Sequence, residues 1–84
     1  MMIVSKHAKE ELHRRGIPMD VFEAVLAAPE QKVPGHGTIV CYQSKVIIEG
    51  KRYLVRIMVD ENRKPPVVVT VYRTSKANKY WRKK

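Results

Sequence analysis

Acidic side chains are scarce in this sequence: eight Asp and Glu stand against seventeen Lys and Arg, a formal net charge of +9. Such an excess repels cationic partners and favours encounter with phosphates. Cysteine is scarcer still. Cys41 stands alone, which excludes an internal disulfide and leaves no thiol cluster for zinc. Its place between Val40 and Tyr42 marks it as a packing residue. Long hydrophobic runs are also missing. Stretches such as Val46 to Ile48 and Val67 to Val69 fall far short of the ~20 residues that cross a bilayer, so no membrane span is expected. The opening Met1 to His7 has no apolar region followed by a small-residue cleavage site, which makes the cytoplasm the expected compartment. No internal repeat, low-complexity tract or linker interrupts the chain.

What is present suffices for one hydrophobic core. A domain commonly needs ~100 residues, so 84 residues predict a single domain over 1–84. A hydrophobic content of 44% is too high for intrinsic disorder despite the net charge. The charge itself is unevenly placed. Residues 1–30 carry four basic side chains, Lys6, Lys9, Arg14 and Arg15, against five acidic ones, whereas residues 31–84 carry thirteen against three. The second part therefore carries the field, whether as a phosphate-attracting surface or as a solvated face that keeps the protein soluble.

Ser5 can accept backbone N–H bonds as a helix cap, and Lys6 to Arg15 then runs free of proline and glycine until Gly16, a usual stop. Ala8 and Leu12 share a narrow apolar stripe on this first helix. After Ile17-Pro18-Met19-Asp20, the residues Val21, Phe22, Val25, Leu26 and Ala28 recur at spacings of three and four until Pro29, which predicts a second helix. From residue 38 onward β-branched and aromatic residues dominate. Ile39 to Ile48 reads as one strand or a bent pair, Tyr53 to Val59 as a second and Val67 to Arg73 as a third. Glu49-Gly50 supplies a tight turn between the first two, and Pro65-Pro66 delays the start of the third.

In the second strand Tyr53, Val55, Ile57 and Val59 alternate with Arg52, Leu54, Arg56 and Met58, so the first set is the expected core face and Arg52 and Arg56 point together to the other. Val67, Val69 and Val71 alternate likewise with Val68, Thr70 and Tyr72. Thr74 or Ser75 can cap a short final helix through about Trp81. The expected fold is α+β: an N-terminal two-helix hairpin packed on an antiparallel sheet of three to four strands, with a short C-terminal helix.

Several residues carry candidate chemistry. His7, with an ordinary pKa of about 6.5, suits acid–base work; it also reads as an exposed or packing histidine in a first helical turn. His13 and His36 have no partner in the sequence pattern. His7, Glu11 and Arg14 fall on one helical face, where a Glu–His contact competes with an ordinary Glu11–Arg14 pair. One histidine and one glutamate do not make a metal site, so no metal and no cofactor are expected. Tyr72-Arg73-Thr74-Ser75 brings hydroxyls and a guanidinium to the start of the last helix, and arginine's bidentate donors suit a phosphate, which favours Arg73 and Arg56 over any lysine. The tail Lys76, Lys79, Tyr80, Trp81, Arg82, Lys83 and Lys84 mixes cations with aromatics, the combination that holds backbone phosphate and stacks on unpaired bases. Trp81 reads equally as an anchor that docks the last helix.

Ser5-Lys6-His7-Ala8 with Glu11, Arg14, Arg15, Gly16 and Ile17, then Val71 to Lys76 and Lys79-Tyr80-Trp81, resemble the family called domain of unknown function 4258, over nearly the whole chain. Proteins of that kind resemble the compact RNase-toxin fold of RelE, ParE and BrnT. That likeness implies helices on one sheet face, a ligand groove on the other and a metal-independent endoribonuclease restrained by an acidic antitoxin. It would use His7 as base or acid, Arg56 and Arg73 on phosphate and Tyr72 to orient. Arg14, Arg52, Thr74, Ser75, Lys76, Lys79, Trp81 and Arg82 would bind the nucleic acid. Two rival expectations use the same cations: a module that holds RNA or DNA without cutting, and a surface for an acidic protein.

Overall fold

The structure, a computed structural model, describes residues 2–83. In chain order the elements are β1 (Ile3–Val4), α1 (Lys6–Arg14), α2 (Met19–Ala27), β2 (Gln31–Pro34), β3 (Ile39–Ile48), β4 (Lys51–Asp60), β5 (Val67–Thr74) and α3 (Ala77–Tyr80). They form an α+β domain around one five-stranded sheet in the order β1-β5-β4-β3-β2.

Ser5 caps α1 as its composition predicts, its hydroxyl accepting from the Ala8 N–H at 3.0 Å. Gly16 ends the helix with a φ of +62°, a conformation that costs glycine little. Pro18 precedes α2, and Asp20 accepts from its neighbour Val21 at 2.9 Å. α1 packs on β5, and α2 lies across β3 and β4. Ala8, Leu12, Phe22 and Val25 from the helices, with Ile17 between them, meet Tyr42, Val55, Ile57, Val59, Val68 and Val71 from the sheet in one buried cluster. Burial of such aliphatic side chains contributes about 1.5–3 kcal/mol each.

Three expectations are corrected here. The sheet has five strands, not three to four, and it is mixed rather than antiparallel, because Ile3 and Val4 pair in parallel with Val67 and Val68. A two-residue strand has no periodicity to read. β2 pairs antiparallel with β3 from Gln31↔Gln43 to Pro34↔Val40; its polar residues and terminal proline hide a strand held mainly by its backbone.

The third correction concerns β5. Simple alternation places Val67, Val69 and Val71 together, but Met58 pairs with Thr70 and Val59 with Val68, leaving Val69 as an extra residue in a bulge. The bulge resets the alternation. Val68 and Val71 are both fully buried while Val69 is exposed, and the Ser5 hydroxyl donates to the Val69 carbonyl at 3.0 Å.

β3 is one continuous strand and joins β4 through Glu49-Gly50, with φ of +51° and +76°, the geometry of a two-residue hairpin turn that matches sheet twist. Tyr53, Val55, Ile57 and Val59 face the helices as the alternation predicts. The opposite face carries Arg52, Leu54, Arg56 and Met58. Leu54 is nonetheless fully buried, and that second face is not open.

Candidate nucleic-acid interface

A polar row crosses four strands on the second face. Gln31, Gln43, Arg56 and Tyr72 stand directly opposite one another in successive strands, and directly opposed side chains on one face are within reach of each other. Gln43 Nε2 donates to Gln31 Oε1 at 2.8 Å. Arg56 Nε donates to Gln43 Oε1 at 2.9 Å, and Arg56 Nη1 donates to Tyr72 Oη at 2.6 Å. Arg15, reaching in from the end of α1, places its guanidinium carbon 5.9 Å from the Tyr72 ring. Gln43 is fully buried, so its amide needs these partners. Burial pushes the Tyr72 phenol above its ordinary pKa, with the Arg56 hydrogen bond acting the other way.

The segment that ends in Tyr80, Trp81 and Arg82 covers this row. The Arg56 guanidinium carbon lies 4.4 Å from the Tyr80 ring, and Tyr80 meets Tyr72 edge-on with centroids 6.4 Å apart. Gln43 Nε2 also donates to the Tyr80 carbonyl at 3.3 Å. Gln31 clasps the backbone of Arg82 from both sides, its amide donating to the carbonyl at 2.7 Å and its oxygen accepting from the N–H at 3.1 Å. Lys45 Nζ sits 4.2 Å from the Trp81 ring, so the half-buried tryptophan docks on the domain. Cys41, beside Gln43, is fully buried, and burial raises its thiol pKa; it packs, as expected.

Between this covering segment and the β3–β4 hairpin arm lies a cleft of about 750 Å³. Lys45 and Arg52 border it from the strands, and Lys76 and Lys79 from the segment. None of these four has a carboxylate within ion-pair distance among the described residues. The acids that do pair are elsewhere: Glu11 holds Arg14 and Arg15 at 2.8 Å each, Glu61 holds Lys32 at 3.7 Å and Asp60 holds Arg63 at 3.6 Å. Glu30 approaches Lys45 only at its backbone, accepting from its N–H.

The residues expected to act together are divided between two faces. Arg56 and Tyr72 belong to the covered face. Arg73, opposite Val55, points the other way, its guanidinium carbon 4.4 Å from the Tyr53 ring. His7 is exposed on α1, and the Glu11 beside it is engaged by two arginines, which replaces the Glu–His contact weighed from sequence. Those arginines hold the Glu11 carboxyl down to about 2. Arg14 is thereby paired. Thr74 accepts from the Lys76 N–H at 3.1 Å, but neither it nor Ser75 caps α3, which starts after Lys76 without a side-chain cap. Ser75, Lys76 and Lys79 reach the cleft, and Arg82 serves the clasp through its backbone. The sequence reading missed Gln31 and Gln43; Gln43, a polar residue inside the expected strand Ile39 to Ile48, was the available signal, whereas the strand that carries Gln31 was not legible. Among the described residues no group of three or more His, Cys, Asp and Glu gathers as a metal site, and no helix is long and apolar enough to cross a membrane.

These features define a small basic α+β domain whose second sheet face is roofed by the segment from Lys76 to Arg82 and bordered by cations that have no carboxylate partner among the described residues. The family described as Domain of unknown function (DUF4258) matches residues 4–73, and the chain belongs to that family. No curated protein and no solved structure matches it. The matched span ends at Arg73, so the covering segment and one wall of the cleft lie beyond it.

Proposed function

We propose that this domain binds RNA without cutting it, through the cationic border of the covered face. The observation that carries the reading is that Lys45, Arg52, Lys76 and Lys79 converge on one cleft with no carboxylate partner among the described residues, while acids elsewhere are engaged with other cations. Like charges held together without counter-ions are costly. Polyphosphate relieves that repulsion and releases its own counter-ions.

The test is fluorescence anisotropy with a labelled single-stranded RNA across a salt series, with the same samples run on a gel in EDTA. Four phosphate contacts give a log–log salt slope of about −3, and the RNA stays intact. Absence of binding at low salt, or a flat slope, removes the reading.

The metal-independent endoribonuclease of RelE-like type has one observation in its favour: Arg56 and Tyr72, both named from the sequence as candidate site residues, are hydrogen-bonded to each other. With it goes the helical-hairpin arrangement of that fold. On this second reading RNA is cut in EDTA and Tyr72→Phe abolishes the cutting. An acidic, antitoxin-like protein partner would compete with RNA for the same cations.

A further inference from the structure

We infer that the cleft between the hairpin arm and the covering segment is a seat for about two unpaired ribonucleotides. The inference deepens the RNA-binding reading and rests on it. Size comes first. A volume of about 750 Å³ lies in the range of small-ligand sites, about 300–1,000 Å³, and a duplex is too wide to enter it. The chemistry of the walls is mixed in a specific way. Ile47 is 67% exposed, more than Ile3, Met19 or Val69, and it lies inside the cleft among Lys45, Arg52, Lys76 and Lys79.

A purely anionic ligand has no use for an aliphatic side chain at that spot, and a purely apolar one has no use for four cations. A nucleotide joins the two requirements, presenting a planar base to Ile47 and phosphate to the lysines and arginine. Val46 and Tyr53 also border the cleft, although by the alternation of the pleat their side chains belong to the helix face. Asn78 adds an amide that can both donate and accept. A ribose 2′-hydroxyl also does both, and it is the group that separates RNA from DNA.

The experiment is an amide-resolved NMR titration of the full chain with the 5′-phosphorylated dinucleotide pApA and its deoxy counterpart, repeated on Arg52→Gln and Ile47→Ser. Both substitutions are at exposed positions, and the unchanged dispersion of the spectrum verifies folding. Shifts are expected to gather at residues 45–47, 52 and 75–79, with the deoxy form weaker. Arg52→Gln should lower affinity about tenfold, the equivalent of one charge-assisted contact. Ile47→Ser should lower it about threefold to tenfold without altering the salt slope, since it removes apolar contact and no charge.

Shifts scattered over the surface, or an RNA duplex binding as tightly as a single strand of equal phosphate number, overturn the cleft and leave RNA binding standing. Shifts confined to the cleft with no binding of longer RNA overturn the broader reading and leave the cleft. Anionic lipid vesicles or an acidic peptide taking the same residues more tightly than pApA assign the cleft to another ligand and overturn the inference.

Discussion

Arg56 and Arg73 are carried by neighbouring paired strands, opposite Tyr72 and Val55 respectively, yet their guanidiniums leave the sheet on opposite faces. Arg56 reaches the Tyr72 hydroxyl at 2.6 Å, and Arg73 stacks 4.4 Å from the Tyr53 ring. A single phosphate cannot bridge the two. Arg73→Gln is therefore expected to change RNA affinity less than Arg52→Gln does, and to cost about 0.5–1 kcal/mol of stability through the lost cation–ring contact. Anisotropy and urea denaturation of the two variants decide it. An Arg73 effect on binding equal to that of Arg52 would mean that RNA reaches the helix face.

Ser5 joins two features that are far apart in sequence. Its hydroxyl accepts from Ala8 as the cap of α1 and donates to the Val69 carbonyl in the β5 bulge. Ser5→Ala should lower unfolding free energy by about 1–2 kcal/mol, the upper end of a cap deletion, because two bonds are lost. Ser5→Thr keeps both oxygen functions and should recover most of that. Equal losses for Ala and Thr would show that the hydroxyl is not the cause.

Glu49 occupies left-handed backbone, φ +51°, where a side chain with a Cβ is disfavoured and asparagine is among the best tolerated. Glu49→Asn gives the hairpin the Asn-Gly pair that such turns favour. It should raise stability by on the order of 0.5–1 kcal/mol. A midpoint in urea that stays put or falls would show that the Glu49 carboxylate, in this cation-rich half, contributes more than its backbone strain costs.

The parts of the fold that were legible in the sequence are those with local causes. Ser5 and Gly16 bracket α1, Glu49-Gly50 makes the turn, and the alternation from Tyr53 to Val59 gives the core face. What escaped depends on distant partners. Ile3-Val4 is a strand only because β5 offers it an edge, and Val69 bulges only because β4 and Ser5 both hold its neighbourhood. The site divides the same way. Composition revealed the cationic surplus of the second half, but the row from Gln31 to Tyr72 needs the register of four strands at once. The order of residues held part of the answer, since Arg56 falls with Arg52 away from the core set and Arg73 shares parity with Val71, but that these parities put the two on opposite faces needs the β4–β5 pairing.

Glu11 makes the helical end sensitive to acid. Its carboxyl is held at about 2, against an ordinary 4.5, first by the Arg14 hydrogen bond and then by that of Arg15. The unfolded chain takes up this proton more readily than the folded one. The stabilisation is complete above about pH 4.5, declines as pH falls toward about 2 and is absent below. Urea midpoints of the natural protein and Glu11→Gln should thus differ near neutrality and converge across that window. A constant difference across it would place the Glu11 contribution in packing rather than charge.

Gln31 holds the covering segment in a way that can be released without disturbing the core. Its amide bonds the Arg82 carbonyl at 2.7 Å, and its oxygen accepts from both the Arg82 N–H at 3.1 Å and Gln43 Nε2 at 2.8 Å. No residue of α3 is itself buried, so the segment is retained by these bonds, by the Gln43 bond to the Tyr80 carbonyl, by the contacts of Tyr80 with Arg56 and Tyr72 and by Trp81 beneath Lys45. Each is worth about 0.5–1.5 kcal/mol. Gln31→Ala should accordingly speed hydrogen exchange of the Trp81 and Arg82 amides by about tenfold or more, since a loss of about 1.4 kcal/mol of local stability is a factor of ten in opening. Amides of Val55, Ile57 and Val71 should keep their protection, because the helix-face cluster is untouched. Tryptophan emission, arising from the lone Trp81, should shift toward that of solvent-exposed indole in the same variant. Uniform loss of protection across sheet and segment would instead show that the polar row is part of the global folding unit, and that the roof does not open separately from the domain it covers.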